Sequence, residues 1–186
     1  NQSPGTSSIF SSNFSFLNQF SDSNRFKSVK KIIVKCDTID YLIEKNQMPH
    51  FDFAKIDIQG GELAVLEGGK NYIKSNVVGL EVEVEFGKMY VDQPLFAEID
   101  IFIRNTLGLE LWDLSKAHWK YLSNSKSGPT KGRLIFGNAL YLRPLEGLET
   151  WLNKLSDNQA KEKLLMLIST SLAYGFLDYV YAILNN

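Results

Sequence analysis

"FAKIDIQGGELAVLEGG", residues 53–69, decides how this chain is read. A short apolar run ends in Asp57, two glycines follow at 60 and 61, and Glu62 then opens a stretch with helical spacing. Strand, glycine turn and helix together make the start of an α/β layer. In open α/β sheets, ligands sit beyond the carboxyl ends of the strands, and Asp57 stands at such an end. Two roles are open to it. It caps the turn that Gly60 makes possible, or it presents a carboxylate to a crevice and there takes a proton or holds a cation. Glu62, in the first helical turn, complements the helix dipole whether or not it also serves a site. Lys55, two residues before Asp57, lies on the same face of the strand. A charged pair on a central strand calls for a partner or a ligand.

The pattern continues on both sides. "VKKIIVKC" (29–36) reads as a strand, and Asp37 opens a short helix with Ile39, Leu42 and Ile43 turned inward. Residues 51–58 read as a strand and 61–75 as a helix weakened by Gly68-Gly69. "VVGLEVEVEF" (77–86) alternates strictly, with Leu80, Val82, Val84 and Phe86 on one face and Glu81, Glu83 and Glu85 on the other. Helices cover both faces of most α/β sheets, so the glutamate face is expected to be partly enclosed, with Glu83 pointing into the site. A helix from Pro94 to about Leu107, a strand over 109–114, a turn-rich loop over 118–132 and a strand over 133–143 follow. This rhythm predicts an α/β domain with a largely parallel sheet, closed at one edge by an antiparallel hairpin of the last two strands.

The two ends differ from the middle. Residues 1–28 are rich in Ser, Asn and Phe, and are expected to be loop with a short strand, pinned by Phe10, Phe14, Phe16 and Phe20. Residues 145–155 and 157–184 carry helical patterns, the second opened by a Ser156/Gln159 capping box. This tail is too apolar for a free helix, so it is expected to pack on the domain or on a second copy of the chain.

Composition bounds the function. The net charge of -1 gives no global field for nucleic acid or anionic lipid. The single cysteine, Cys36, excludes a disulfide framework and fits a reducing, cytoplasmic setting. No apolar run approaches the ~18 residues a membrane span needs. The chain begins at Asn1 rather than Met, so a processed or truncated piece is expected. His50 reads as a surface residue, and His118, beside Trp119, as packing or a base. No histidine and cysteine set has zinc spacing, no G-x-S-x-G elbow occurs, and no G-x-G-x-x-G or Walker loop cradles a phosphate.

Taken together, "TSSIF" (6–10), "VKCDTIDYLI" (34–43), residues 53–69, "GLEVEVEFGKMYVDQPLFAEID" (79–100), "LGLELWDL" (107–114) and "NALYLR" (138–143) resemble the FkbM family of S-adenosylmethionine-dependent methyltransferases. The resemblance covers residues 5–143. It implies a Rossmann-like class I methyltransferase domain over 29–143, seen as its carboxyl-terminal half, between a loop-rich segment 1–28 and a helical extension 144–186. The family's cofactor glycine loop lies upstream of the matching region and has no substitute here. The half sheet therefore has an open edge, to be covered by the N-terminal segment or a second copy.

The resemblance implies methyl transfer to a hydroxyl, such as that of a sugar or a polyketide-like product, with S-adenosylmethionine as cofactor. It implies Asp57 and Glu83 as catalytic residues, with Asp57, Gln59 and Glu62 binding the cofactor. Lys55, Tyr90 and His118 are then the candidates for acceptor contact. A carboxylate, Asp57 or Glu83, takes or orients the hydroxyl proton while the fold holds the reactants in line. No residue is assigned to a metal, and a divalent cation, if one assists, would take the same two carboxylates. Two other readings stand beside this one: a non-catalytic module that self-associates through its tail, giving a homodimer, and a carboxylate-metal hydrolase.

Overall fold

The computed structural model describes residues 1–124, 128 and 131–185. In chain order its main elements are α1 (Phe14–Leu17), α2 (Ile39–Glu44), β1 (Phe53–Ile56), α3 (Glu62–Gly68), α4 (Lys70–Asn76), β2 (Gly79–Glu85) and α5 (Phe96–Phe102). A π turn, Ile103–Leu107, extends α5. Then come β3 (Glu110–Trp119), β4 (Arg133–Leu142), α6 (Leu148–Leu152), α7 (Asp157–Ala173) and α8 (Leu177–Leu184). The four strands form one mixed sheet in the order β1-β2-β4-β3. Strands β1 and β2 run parallel, joined by the α3–α4 crossover that such a pairing requires, and β4 is antiparallel to both β2 and β3. The expected hairpin of the last two strands is present. The largely parallel sheet is not, because β4 returns between β2 and β3 and so makes two of the three pairings antiparallel.

Both faces of the sheet are covered. Leu80, Val82 and Val84 of β2 pack with Leu66 of α3, Ile73 of α4 and Ile99 of α5 in one core. On the other face Leu140 and Leu142 pack with Leu148, Leu167, Tyr179 and Ile183 of the C-terminal helices. A third core joins the N-terminal segment, through Phe16, Leu17, Phe20 and Phe26, to Met89, Tyr90 and Ile135. The N-terminal phenylalanines thus act as pins, as their preference for burial predicts. The segment forms two isolated bridges, Ser12 with Tyr90 and Phe20 with Tyr121, rather than a strand.

Three other expectations are corrected. Residues 29–36 are not a strand; they run exposed, with Ile33 fully in solvent. Their apolar residues have the right propensity, but a strand needs a neighbouring ladder, and none lies beside them. The cap of α2 is Thr38, whose hydroxyl accepts the Tyr41 amide at 3.2 Å, in place of Asp37. Asp40 instead reaches across to the start of α4 and accepts the Asn71 and Tyr72 amides at 3.2 and 2.9 Å. Third, β3 runs on to Trp119, so His118 and Trp119 are strand residues rather than loop. Residues 125–127, 129 and 130 of the expected loop lie outside the described residues.

The tail docks by specific contacts as well as by its core. The Ser156/Gln159 capping box forms, with the Ser156 amide 3.2 Å from Gln159 Oε1. Gly175, at φ 87°, breaks the expected long helix into α7 and α8. Lys163 pairs with Asp52 ahead of β1, and the Tyr174 hydroxyl donates to Glu81 at 2.7 Å. The Tyr179 hydroxyl donates to the Arg143 carbonyl at 2.5 Å.

Arg143, directly after β4, is 5 % exposed and has no carboxylate partner among the described residues. Its guanidinium donates to the carbonyls of Val77, Leu107 and Ile73 at 3.0 Å each and of Lys74 at 2.7 Å. These carbonyls end α4 and the π turn, where the helix dipole is negative and a cation is favoured. Among the described residues, no helix is long and apolar enough to cross a membrane.

Candidate functional site

The registers place a row of polar residues on one face of the sheet. Lys55 of β1 lies beside Glu81 of β2, and Glu81, Glu83 and Glu85 face Leu140, Asn138 and Phe136 of β4. The tail covers the Glu81 end of this row and the N-terminal segment lies over the other. Between the N-terminal segment and the sheet opens a cavity of about 600 Å³. Asp57, Gln59 and Glu83 line its polar side, Phe26, Trp119 and Phe136 its aromatic side, and Arg25 stands among the latter. The volume falls in the range of small-molecule and cofactor sites.

The backbone at the end of β1 is built to aim side chains into this space. Gln59 adopts φ 59° and Gly60 φ 99°, so two consecutive residues are left-handed. Such a conformation costs little at glycine and about 1 kcal/mol or more at Gln59. What the turn achieves is a hydrogen-bonded string. Gln59 Nε2 donates to Glu83 at 2.6 Å and to Asp57 at 3.2 Å. Its Oε1 accepts from the Tyr90 hydroxyl at 2.9 Å. One glutamine thus fixes Asp57, Glu83 and Tyr90 relative to one another.

Below the string lie three carboxylates. Glu62 is 0 % exposed, Glu83 6 % and Glu85 0 %. Glu62 Oε1 accepts the Ile58 amide at 2.8 Å and so closes the glycine turn. Burial pushes the Glu83 carboxyl up to about 8, with the charge of Asp57 adding to the effect. Burial pushes Glu85 further, to about 9, helped by the charges of Glu62 and Glu83. Glu62 is raised too, chiefly by burial. Glu81 behaves oppositely: its ion pair with Lys55, at 2.6 Å, holds its carboxyl below the ordinary range.

The structure brings together five of the seven residues picked out by sequence: Asp57, Gln59, Glu62, Glu83 and Tyr90. Lys55 lies on the same face but spends its ammonium on Glu81, with Asn138 at 3.5 Å. His118 is exposed on β3 and does not line the cavity; the cavity wall there is its neighbour Trp119. Of the two carboxylates that sequence offers to a cation, Glu83 stands in the buried cluster, while Asp57 is exposed beside it. Sequence reasoning passed over Glu85, although the alternation of residues 81–86 placed it on Glu83's face. It also passed over Arg25 and Trp119, whose meeting across the cavity depends on how the N-terminal segment folds back. The Arg25 guanidinium lies 4.9 Å from the Trp119 ring and 5.0 Å from the Phe26 ring, and its Nε has no hydrogen-bond partner.

The model of the FkbM methyltransferase domain matches residues 1–108 of the chain. Comparison with the curated proteins and with the solved structures found no match. The matched stretch includes the glycine turn, all three buried glutamates and Tyr90, and it spans more than half of the 186 residues. The chain therefore belongs to the FkbM methyltransferase domain family.

Proposed function

We propose that this site performs S-adenosylmethionine-dependent methylation of a hydroxyl, on a sugar or a similar polyhydroxylated acceptor, and that the sheet is the carboxyl-terminal half of a Rossmann-like methyltransferase domain. The observation that carries the reading is the string Asp57–Gln59–Glu83–Tyr90 at the carboxyl ends of β1 and β2, opening on an aromatic-walled cavity. The charges on the cavity wall fit the methionine end of the cofactor. Asp57 complements a sulfonium or an ammonium, and Arg25 complements a carboxylate. When bound, the cofactor supplies an electrophilic methyl group.

The chain's own residues do the rest. Phe26, Trp119 and Phe136 exclude water and give flat apolar surface for a ring. Asp57, exposed at the strand end, accepts the proton of the acceptor hydroxyl as its oxygen becomes a nucleophile. Gln59 donates to both Asp57 and Glu83, so the proton acceptor is in place before the acceptor arrives. Calorimetric titration with S-adenosylhomocysteine tests the cofactor reading, and Asp57→Asn tests the chemistry. Binding to the wild type, with Asp57→Asn folded, binding more weakly and slowed about 10²- to 10⁴-fold in methyl transfer at saturating cofactor, is the expected pair of results. A variant as active as the wild type refutes the role of Asp57.

One observation favours a second reading, self-association into a homodimer through the tail. Leu165 and Leu172 of α7 and Leu177, Tyr181 and Leu184 of α8 are all exposed. Light scattering that returns a monomer disposes of it.

A further inference from the structure

We propose that Glu62, Glu83 and Glu85 form a binding site for a hard divalent cation of the magnesium, calcium or manganese type. One oxygen from each of the three carboxylates lies within 4.8 Å of the other two. A glutamate that opens α3 and two alternate glutamates of β2 thus converge from two elements onto one point.

Proximity of acidic groups alone would mean little. The second observation is the state of their oxygens: both oxygens of Glu85 and Oε2 of Glu62 are buried and have no hydrogen-bond donor. A buried polar atom without a partner is costly, and buried carboxylates normally have a cation or donors beside them. Among the described residues no side chain supplies either to these three oxygens. From β1, Lys55 is held by Glu81 and Asp57 adds negative charge. From the N-terminal segment, Arg25 lies over Trp119 and Phe26. From the loop after β2, Tyr90 directs its hydroxyl to Gln59 Oε1 and the Thr6 carbonyl.

The donors that do reach the cluster suit a ligand role. Gln59 fixes one oxygen of Glu83 and the Ile58 amide fixes one oxygen of Glu62. Each is thereby oriented by an outer partner, the arrangement that holds metal ligands in place. The three residues offer only carboxylate oxygen, with no histidine or cysteine in the set, which selects hard cations over zinc or copper. Asp57 lies outside the set and keeps its place on the cavity wall. The inference goes beyond methyl transfer and is tested without it.

The experiment is titration of the EDTA-stripped 186-residue chain with MnCl₂, following free Mn²⁺ by electron paramagnetic resonance. Thermal unfolding with MgCl₂, CaCl₂ or EDTA runs in parallel. The expected result is one Mn²⁺ bound per chain and a midpoint raised by at least one of the cations and lowered again by EDTA. Glu85→Gln weakens Mn²⁺ binding by roughly tenfold or more. It also raises the midpoint of the metal-free chain, because it removes a carboxylate without a donor. The exposed Glu67→Gln, on the same helix as Glu62, leaves binding unchanged. Should Glu85→Gln not fold, Glu62→Gln is read in its place. A folded wild type that leaves all Mn²⁺ free overturns the proposal, and so does a Glu85→Gln chain that binds as the wild type does.

Discussion

Replacing Arg143 with methionine keeps much of the side-chain volume and removes every donor. Four carbonyls, those of Ile73, Lys74, Val77 and Leu107, each lose a guanidinium contact of 3.0 Å or shorter. At about 1 kcal/mol net for each contact, the loss is about 4 kcal/mol. Two corrections pull in opposite directions. The Ile73 carbonyl keeps the Val77 amide at 3.0 Å, which softens its loss. The guanidinium also sits 4.5 Å from the Trp151 ring, and that contact with α6 goes as well. Lysine, with three donors on a flexible stem, restores part of the set and is expected to cost about half as much as methionine. Urea denaturation followed by circular dichroism measures both, provided the slope with denaturant is unchanged. A loss below about 1 kcal/mol for Arg143→Met would refute the view that this cation ties α4, the π turn and the tail together.

Other outcomes follow from the same structure. In EDTA, stability should fall as pH rises from the ordinary carboxyl value of 4.5 toward about 9, because Glu83 and Glu85 hold their protons in the fold and release them when unfolded. The charges of Asp57 and Glu62 raise Glu83 and Lys55 lowers it. Glu85→Gln should flatten that profile, measured as the unfolding midpoint against pH, and an unchanged slope would count against the burial of Glu85. Gly137→Ala should destabilise the chain by about 1–3 kcal/mol, because a Cβ there meets the Ser115 carbonyl oxygen of β3 at 2.1 Å. Thermal unfolding within error of the wild type would contradict the close β3–β4 approach. Glu83→Gln should keep the fold and lose methyl transfer about 10²-fold or more, read with labelled cofactor once an acceptor is in hand.

Much of the site was legible because it is local. Asp57, Gln59, Gly60 and Glu62 fall within six positions, and the turn that joins them is written in the glycines. The alternation in β2 likewise fixed which residues share Glu83's face, so Glu85 was within reach of the same reasoning. What sequence could not supply was contact between distant segments. Arg25 meets Trp119 only because the phenylalanines at 16, 20 and 26 fold the N-terminal segment over the sheet end. The segment 29–36 shows the reverse error: its residues suit a strand, yet pairing is a property of two segments, and local propensity cannot report a missing partner. The direction of β4 was hidden for a related reason. Nothing in a strand's own residues says whether it returns between two others or beside them.

That return has a consequence for how the chain is divided. The family match ends at residue 108, ahead of both β3 and β4. Yet β4 pairs along β2 from Gly79 to Glu85, and its Ala139 and Tyr141 belong to the same core as Leu80 and Val82. The stretch that the family model matches therefore holds only part of the sheet. Cut at 108, it would expose the whole length of β2 as an unpaired edge and open its core to water. In this protein the border of the family match and the border of the sheet differ, and any fragment made to study the first must be drawn along the second.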